Sequence, residues 1–150
     1  LKVEKPPAPR TDVDYLPANF ENQVSLLDYE IHNVQVQRGG ALQLSLTWQA
    51  LNSIHEDYTV FVHILDDSDR IWGQADMQPV YGTYPTSRWQ EGEVVVDPHV
   101  VWTDPEAPLG LYRIQVGLYL LRTMERLTLV DDSGRPLDNR LTIDLIEIVP

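Results

Sequence analysis

The sequence contains no cysteine, which excludes disulfide bonds, thiolate metal sites and a cysteine nucleophile. Proteins without cysteine occur in the cytoplasm and outside bacterial cells alike, so this absence leaves the compartment open. Long apolar runs are also missing. The longest, such as Gly117–Leu121, fall far short of the roughly 20 residues that a membrane-spanning helix needs. We therefore expect no direct membrane insertion by this segment.

Positive charge is scarce. Lysine and arginine together number 11, against 23 aspartates and glutamates, which gives a net charge of −12 and a pI near 4.5. Both lysines, Lys2 and Lys5, lie close to the start of the chain, and every later basic residue is an arginine. A negative field of this kind repels nucleic acid phosphates and anionic lipids. Nucleic acid is therefore excluded as an expected partner.

Recognisable catalytic and cofactor motifs are missing as well. No serine lies in a G-x-S-x-G nucleophile elbow, and no glycine-rich loop leads into a helix that would hold a phosphate. The histidines lack the H-x-x-x-H spacing that brings two imidazoles to one metal ion. We therefore predict no catalytic residue, no metal and no cofactor. His63 lies inside an apolar strand and is interpreted as a partly buried structural histidine.

Two acidic segments, residues 66–69 (DDSD) and 131–134 (DDSG), contain the hard oxygen ligands that calcium prefers. Neither follows the D-x-D-x-D-G order of a calcium loop, because an isoleucine, Ile71, stands at the fifth position counted from Asp67. Short polar residues are also what hairpin turns require, since they hydrogen-bond their own backbone. We therefore interpret both segments as turns.

Apolar and polar residues alternate at period two along most of the chain, which indicates β-strands. The alternation is clearest in residues 42–50 and strong again in Leu111–Leu121. Tyr58–Leu65 is apolar on both parities, which predicts a strand buried on both faces. We expect about eight or nine strands at the spacing typical of β-sandwiches. The predicted fold class is all-β, an antiparallel β-sandwich of immunoglobulin-like or jelly-roll type.

Three local features refine this prediction. The alternation changes parity near His32 and Asn33, which predicts a bulge or bend. Pro98 separates Val94–Val96 from His99–Trp102, which predicts one or two strands and suits an edge or a bulge. Pro108–Tyr112 (PLGLY) leads straight into an alternating strand, as in the tyrosine corner of immunoglobulin-like domains, where the Tyr hydroxyl ties the strand start to a neighbouring loop.

The first part of the chain differs in composition from the rest. Residues 1–19 carry four prolines among scattered charges and show no apolar period. Because proline favours extended polyproline II, we predict a semi-rigid linker there and a β-sandwich domain in residues 20–150. The chain starts without the features of a signal peptide and is interpreted as a segment of a longer protein.

The region from Trp72 to Trp89 is rich in aromatic and turn residues. Flat aromatic rings bind the apolar faces of sugars, and neighbouring polar groups bond the hydroxyls. The candidate ligand-binding residues are Trp72, Asp76, Tyr81, Tyr84 and Arg88. The alternative is that these rings close the open end of the sandwich and hold the long loop down. We predict that Trp89 is buried packing and that Tyr81 and Tyr84 are the exposed rings.

A family resemblance rests on five phrases and their order along the chain: FENQVSLLDYEI, LQLSLTWQAL, DYTVFVHILDDSDRIWGQADMQP, GTYPTSRWQEGEVVVDPH and APLGLYRIQVGLY. They resemble the extracytoplasmic β-sandwich that follows the membrane helices of some bacterial multi-pass glycosyltransferases of the dolichyl-phosphate-mannose mannosyltransferase type. The similarity runs from Phe20 to Ile148, and Asp28 stands where a glycine is expected. The resemblance implies an appended domain outside the cell, tethered by the proline-rich start. The catalytic acid of such enzymes lies in the membrane portion, so no catalytic residue carries over.

Three functions remain open. The first is a non-catalytic extracytoplasmic accessory domain of a cell-envelope membrane protein that assists glycan or acceptor recognition, with carbohydrate or the parent membrane protein as partner. The second is a free-standing carbohydrate-binding module. The third is a hydrolase whose carboxylates the sequence does not identify, because 23 acidic residues offer many pairs.

Overall fold

The computed structural model describes residues 11–150, which form two packed β-sheets. This confirms the predicted all-β sandwich, although the described residues form twelve strands where about eight or nine were expected, because five of the twelve are only two or three residues long. Two short 3-10 helices, Val13–Tyr15 and Thr86–Arg88, accompany the strands. The strands are β1 Ala18–Phe20, β2 Val24–Ile31, β3 Gln35–Gln37, β4 Ala41–Ala50, β5 Tyr58–Leu65, β6 Ile71–Met77, β7 Val94–Trp102, β8 Gly110–Leu120, β9 Glu125–Arg126, β10 Leu129–Val130, β11 Pro136–Asp138 and β12 Leu141–Val149.

The strand order has the immunoglobulin-like arrangement. The first sheet runs β11-β10-β1-β2-β4-β7, and the second runs β3-β12-β8-β5-β6, with β9 beside β8. The order β2-β4-β7 facing β12-β8-β5 corresponds to strands A-B-E and G-F-C of immunoglobulin domains. Neighbouring strands are antiparallel except for β3, which pairs in parallel with β12. This order favours the immunoglobulin-like alternative over the jelly roll.

The predicted tyrosine corner is present at the start of β8. The Tyr112 hydroxyl donates a hydrogen bond to the carbonyl oxygen of Pro108 at 2.5 Å. Tyr112 itself is almost fully buried. Burial is the main cause that raises the pKa of Tyr112, so the hydroxyl remains a neutral donor at neutral pH. The bond thus anchors the loop before β8 to the strand that crosses the centre of the second sheet.

The change of parity near His32 marks the point where the chain leaves one sheet for the other. β2 ends at Ile31 in the first sheet, and β3 begins at Gln35 in the second. Ile31 packs against the core from one side, and Val36 is buried from the other. The predicted bend is therefore a crossover between sheets. Pro98 lies within the single strand β7 at the edge of the first sheet, as predicted.

Folded contacts extend into the stretch predicted as linker. The Asp12 N–H donates to the Thr142 carbonyl at 2.6 Å, and the Asp12 carboxylate accepts the Thr142 N–H at 2.8 Å. Strand β1 begins at Ala18, which is buried like Phe20. The sandwich thus reaches back before residue 20, because two buried positions in a three-residue strand are too short an alternation to recognise. Residues 1–10 of the predicted linker, which spans residues 1–19, lie outside the described residues.

Strand β5 is buried on both faces, as predicted. Val60, Val62 and Ile64 point into the core between the sheets. Phe61 and His63 alternate with them and lie on the outer face of the second sheet, yet they are only 1% and 8% exposed. Side chains from β6, β8 and β9 surround them there. The outer face of the second sheet is therefore covered by side chains at this point, whereas the outer face of a sandwich is ordinarily open to solvent.

Both acidic segments are turns. Asp66 Oδ1 accepts hydrogen bonds from the backbone N–H groups two and four residues further on, at 2.8 and 3.0 Å. Asp131 Oδ1 does the same, at 2.9 and 2.8 Å. Each carboxylate is therefore occupied by its own turn backbone. Within residues 11–150, no group of three or more histidine or acidic side chains is placed to hold a metal ion.

Candidate functional site

The long loop between β6 and β7 is held down by its own aromatic residues. Trp89 is 3% exposed, and its indole N–H donates to the Tyr84 carbonyl at 2.9 Å. The rings of Trp89 and Tyr84 lie 6.4 Å apart between centroids. The structure therefore places Trp89 as buried packing, as the sequence analysis predicts.

The two candidate tyrosines of this loop lie in different environments. Tyr81 is 53% exposed. Tyr84 is half-buried, and its hydroxyl bonds both carboxylate oxygens of Glu93 at 2.9 and 2.8 Å. This bond is the main cause that raises the pKa of Tyr84. Tyr81 is thus the exposed ring that was predicted, whereas Tyr84 is fixed by its own hydrogen bonds.

Trp72 bonds within its own hairpin, and the Arg88 backbone carbonyl oxygen lies 3.5 Å from the Tyr84 hydroxyl. The Trp72 indole N–H donates to Asp66 Oδ2 at 2.8 Å, and the Arg70 guanidinium lies 4.1 Å from the centroid of the Trp72 ring. Arg88 is exposed at the end of the 3-10 helix. Among the described side chains, Trp72 makes no aromatic pair with the loop tyrosines. The candidate rings therefore do not assemble into one flat platform.

The remaining candidate, Asp76, belongs to a cleft on the outer face of the second sheet. The cleft has a volume of about 180 Å³. We call it the outer-sheet cleft and define it by its lining residues, Phe61, His63, Gln74, Asp76, Tyr119, Met124 and Arg126. Strand register explains the gathering, because Phe61 lies opposite Asp76 and His63 opposite Gln74 on adjacent antiparallel strands. Side chains at such paired positions share one face of a sheet.

The floor of the outer-sheet cleft is aromatic. The Phe61 ring centroid lies 4.8 Å from that of His63 and 6.3 Å from that of Tyr119. Gly117 lies opposite Phe61, and a Cβ at this position would come within 2.5 Å of the ring. The glycine therefore makes room for the ring to lie flat across β8. The Arg126 guanidinium covers the same ring at 4.3 Å from its centroid.

One wall of the cleft is a fixed carboxylate. Asp76 accepts hydrogen bonds from the Tyr119 hydroxyl at 2.8 Å and from the Gln74 amide at 3.0 Å. Burial, followed by this hydrogen bond and by the charge of Asp76, raises the pKa of Tyr119 to about 12. Tyr119 therefore stays a neutral donor at neutral pH. A carboxylate has roughly four acceptor positions, so Asp76 retains acceptor capacity for a ligand.

His63 is the buried polar group of the cleft. It is 8% exposed and makes no side-chain hydrogen bond with any of the described residues. No fully buried side-chain nitrogen or oxygen in this part of the chain lacks a partner, so the ring nitrogens of His63 reach the open space of the cleft. Burial lowers the pKa of His63, Asp76 opposes this, and Arg126 and Arg140 add to the lowering. The neutral imidazole offers one donor and one acceptor.

The opposite wall carries a cation. Arg126 pairs with Tyr119 in the register of β9 and β8, so both side chains lie on the outer face. The Arg126 guanidinium donates one hydrogen bond, to the Asn139 side-chain oxygen at 3.3 Å. Within the described part of the chain it forms no ion pair. Four of its five N–H groups therefore have no acceptor among the described residues.

A larger cavity of about 540 Å³ lies between residues 14–19 and the β10–β11 hairpin. Its lining is mostly apolar or acidic, and the Asp131 carboxylate there is already bonded to its turn backbone. The Asn19 amide at this cavity likewise bonds Asn22. The outer-sheet cleft is smaller, but it is lined by a carboxylate, a guanidinium, an amide and an imidazole, those of Asp76, Arg126, Gln74 and His63. We therefore take it as the candidate site.

No protein-family model matches this chain, and no curated protein matches it. The resemblance to glycosyltransferase-associated domains accordingly stays a prediction. None of the helices described here is long and apolar enough to cross a bilayer.

Sequence reasoning found Asp76 but missed its partners Phe61, His63, Tyr119 and Arg126. The sequence does carry a signal for Phe61 and His63. Strand β5 is apolar on both parities, so its outer-face side chains must also be covered by other residues. The signal for Arg126 is absent, since β9 is two residues long and its pairing with β8 depends on the turn before it.

Proposed function

We propose that this domain is a non-catalytic accessory module that binds a small polyhydroxylated ligand, a terminal sugar of a glycan, in the outer-sheet cleft. The observation that carries this proposal is His63, a nine-tenths buried imidazole without a hydrogen-bond partner among the described residues, whose nitrogens face the cleft. These nitrogens are open to the cleft, since no fully buried side-chain nitrogen or oxygen among the described residues lacks a partner. A ligand hydroxyl can therefore replace water as their hydrogen-bond partner.

The chemistry of the cleft suits a sugar. Gln74, Asp76 and His63 offer donors and acceptors for hydroxyl groups, and the almost fully buried rings of Phe61 and Tyr119 support them from below. Asp76 is held in place by two neighbours, so little ordering cost remains when it accepts a ligand hydroxyl. A volume of about 180 Å³ is below the 300–1,000 Å³ usual for drug-sized ligands. It suits one small residue at the end of a chain.

A binding role fits the cleft better than hydrolysis. Glycoside hydrolysis uses two carboxyl groups, roughly 5–10 Å apart, on either side of the scissile bond. Among the described residues that line the cleft, Asp76 is the one carboxylate. The cleft therefore supplies an acceptor for hydroxyl groups without the second acid that the reaction needs.

The wider setting is part of the same proposal. The resemblance described above supports an extracytoplasmic domain tethered to a membrane glycosyltransferase, where glycan or acceptor binding assists the enzyme. A free-standing carbohydrate-binding module is the second candidate, and the same cleft favours it equally. Membrane helices encoded directly before Leu1 support the first candidate, and a secreted chain without them supports the second.

A glycan-array screen tests the binding role. The wild-type domain is compared with Asp76→Asn and His63→Leu, which alter the polar groups of the cleft while keeping side-chain size, and with Tyr81→Ala, which removes the exposed loop ring. We expect at least one glycan to bind the wild type and Tyr81→Ala, and both cleft variants to lose it while their melting temperatures stay near that of the wild type. Loss in Tyr81→Ala alone moves the site to the loop. Absence of binding to every glycan refutes the proposal.

A further inference from the structure

We infer that the outer-sheet cleft selects a sugar acid, whose carboxylate lies on Arg126 and whose hydroxyls lie on Asp76. This inference rests on the proposed function and narrows its ligand class. It comes from the placement of one open cation and one open anion in the same small cleft. The test below separates its failure from the failure of sugar binding itself.

Arg126 is one of five described arginines that form no ion pair, the others being Arg38, Arg70, Arg88 and Arg135, whereas Arg140 lies 4.0 Å from Asp138. Arg113 and Arg122 pair with Asp69 and Glu56, respectively. Arg126 bonds only an uncharged amide oxygen within the described residues, that of Asn139. In a chain with a net charge of −12, a guanidinium without a carboxylate partner is available for an anion from outside.

The guanidinium is also pre-oriented. Its stacking on the Phe61 ring and its bond to Asn139 restrict the plane of the fork. A planar fork of N–H donors matches the two oxygens of a carboxylate, and such bidentate pairs are stronger than neutral hydrogen bonds. Holding the fork still before the ligand arrives lowers the ordering cost of that pair. The geometry of Arg126 therefore suits a carboxylate better than a single hydroxyl group.

Asp76 sets the direction in which the ligand lies. It lines the same cleft but forms no ion pair with Arg126 in the structure described. Its negative charge repels a ligand carboxylate and accepts hydroxyl hydrogens. The acid group of the sugar is thus directed to the Arg126 wall and its hydroxyls to the Asp76 wall. A neutral hexose satisfies one wall, whereas a uronic acid satisfies both.

Matched sugars give the test. Glucose and glucuronate, and galactose and galacturonate, differ only in the oxidation state of C6. Titration calorimetry measures each against the wild-type domain at about 0.15 M salt, where the Debye length is about 8 Å and the overall negative charge is screened. We expect one acid to bind at least about tenfold more tightly than its neutral partner, because charge-assisted hydrogen bonds are roughly twice as strong as neutral ones.

Variants identify the residue responsible. Arg126→Met retains an apolar chain over Phe61 and removes the charge, so we expect the ratio of acid to neutral affinity, measured in the same variant, to fall below about threefold. Arg122→Met, which removes an exposed arginine paired with Glu56, is the matched control and should leave the preference unchanged. If Arg126→Met unfolds, Arg126→Lys keeps the charge without the fork and should retain only part of the preference.

The outcomes are distinguishable. Equal affinity for acid and neutral sugars, or array binding confined to neutral glycans, overturns the inference and leaves the sugar-binding proposal in place. A preference that survives in Arg126→Met also overturns it, because another group then binds the carboxylate. Failure of every sugar and every array glycan refutes both proposals.

Discussion

Asp97 Oδ2 lies 2.5 Å from His99 Nε2, and this pair is buried between the two sheets at the edge strand β7. The same carboxylate accepts the Trp48 indole N–H at 3.1 Å and the Val80 backbone N–H at 2.7 Å. One acid therefore joins the core tryptophan, the edge strand and the long loop. The long loop between β6 and β7 is therefore held in place by a residue outside it as well as by its own aromatic rings.

Removal of the Asp97 carboxylate should destabilise the whole domain. In Asp97→Ala, three donors lose their acceptor, so we expect the free energy of unfolding to fall by about 3 kcal/mol or more. Urea denaturation measures this difference. Asp67→Ala, at an exposed turn position, is the control and should change the value by less than about 0.5 kcal/mol. A loss below about 1 kcal/mol for Asp97→Ala would show that the buried bonds contribute little net stability.

The tyrosine corner can be tested by removing one atom. Tyr112→Phe deletes the hydroxyl that bonds the Pro108 carbonyl and preserves the packing of the ring. We expect a loss of about 1 kcal/mol in the free energy of unfolding. Tyr15→Phe alters a tyrosine that is 64% exposed and should have no measurable effect. Equal effects of the two substitutions would count against a role for the corner.

Substitutions at Trp89 and Tyr81 should distinguish a buried packing residue from an exposed surface residue. Trp89→Ala empties a site that is 3% exposed, so we expect a loss of about 3–5 kcal/mol in the free energy of unfolding. Tyr81→Ala removes a ring that is 53% exposed and should cost less than about 1 kcal/mol. Melting temperatures measured side by side give the comparison. A costly Tyr81→Ala would indicate that this ring closes the loop.

His63 should make the domain sensitive to mild acid. Burial holds its pKa in the folded state below the value of about 6.5 found in unfolded chains. As the pH falls below about 6.5, the unfolded state takes up a proton first, so stability is lost on acidification and is complete above that pH. The free energy of unfolding, measured by urea denaturation at about pH 7.5 and about pH 5, should fall less between these two pH values in His63→Gln than in the wild type. Identical losses would contradict a burial-lowered pKa.

Gly117 should be required for the floor of the outer-sheet cleft. Gly117→Ala places a methyl group within 2.5 Å of the Phe61 ring, so the ring must move. We expect about 1–3 kcal/mol of destabilisation and weaker ligand binding. The double variant Gly117→Ala/Phe61→Leu should lose less stability than the sum of the two single variants, because the clash is shared. Simple additivity of the losses would mean that the two residues do not compete for space.

Much of the architecture follows from short-range patterns. The alternation in β4 and β8 reports which side chains face a core, because strand side chains alternate between two faces. Pro98 can stand only where a backbone N–H is not needed, which places β7 at an edge. The Pro-Leu-Gly-Leu-Tyr phrase predicts the corner at Tyr112, since the bond it makes is only four residues long. Each of these signals is local, so one sequence suffices to read it.

The candidate site depends on long-range pairing, and sequence reasoning recovered only Asp76 of it. Tyr119 and Asp76 are 43 residues apart in the chain, yet their hydrogen bond forms one wall of the cleft. The neighbours of His63 likewise follow from the register of three strands. Because a one-residue change of register would turn each of these side chains to the other face, periodicity alone cannot show which of them meet.

By itself, the amino-acid sequence determined the all-β class, the strand pattern, the turns, the tyrosine corner and the burial of Trp89, since these depend on local alternation, turn chemistry and side-chain size. The tertiary structure alone decided the sheet order, the Asp97–His99 pair and the outer-sheet cleft. Those features require residues distant in the chain to lie within hydrogen-bond distance, which only the packing of the two sheets brings about.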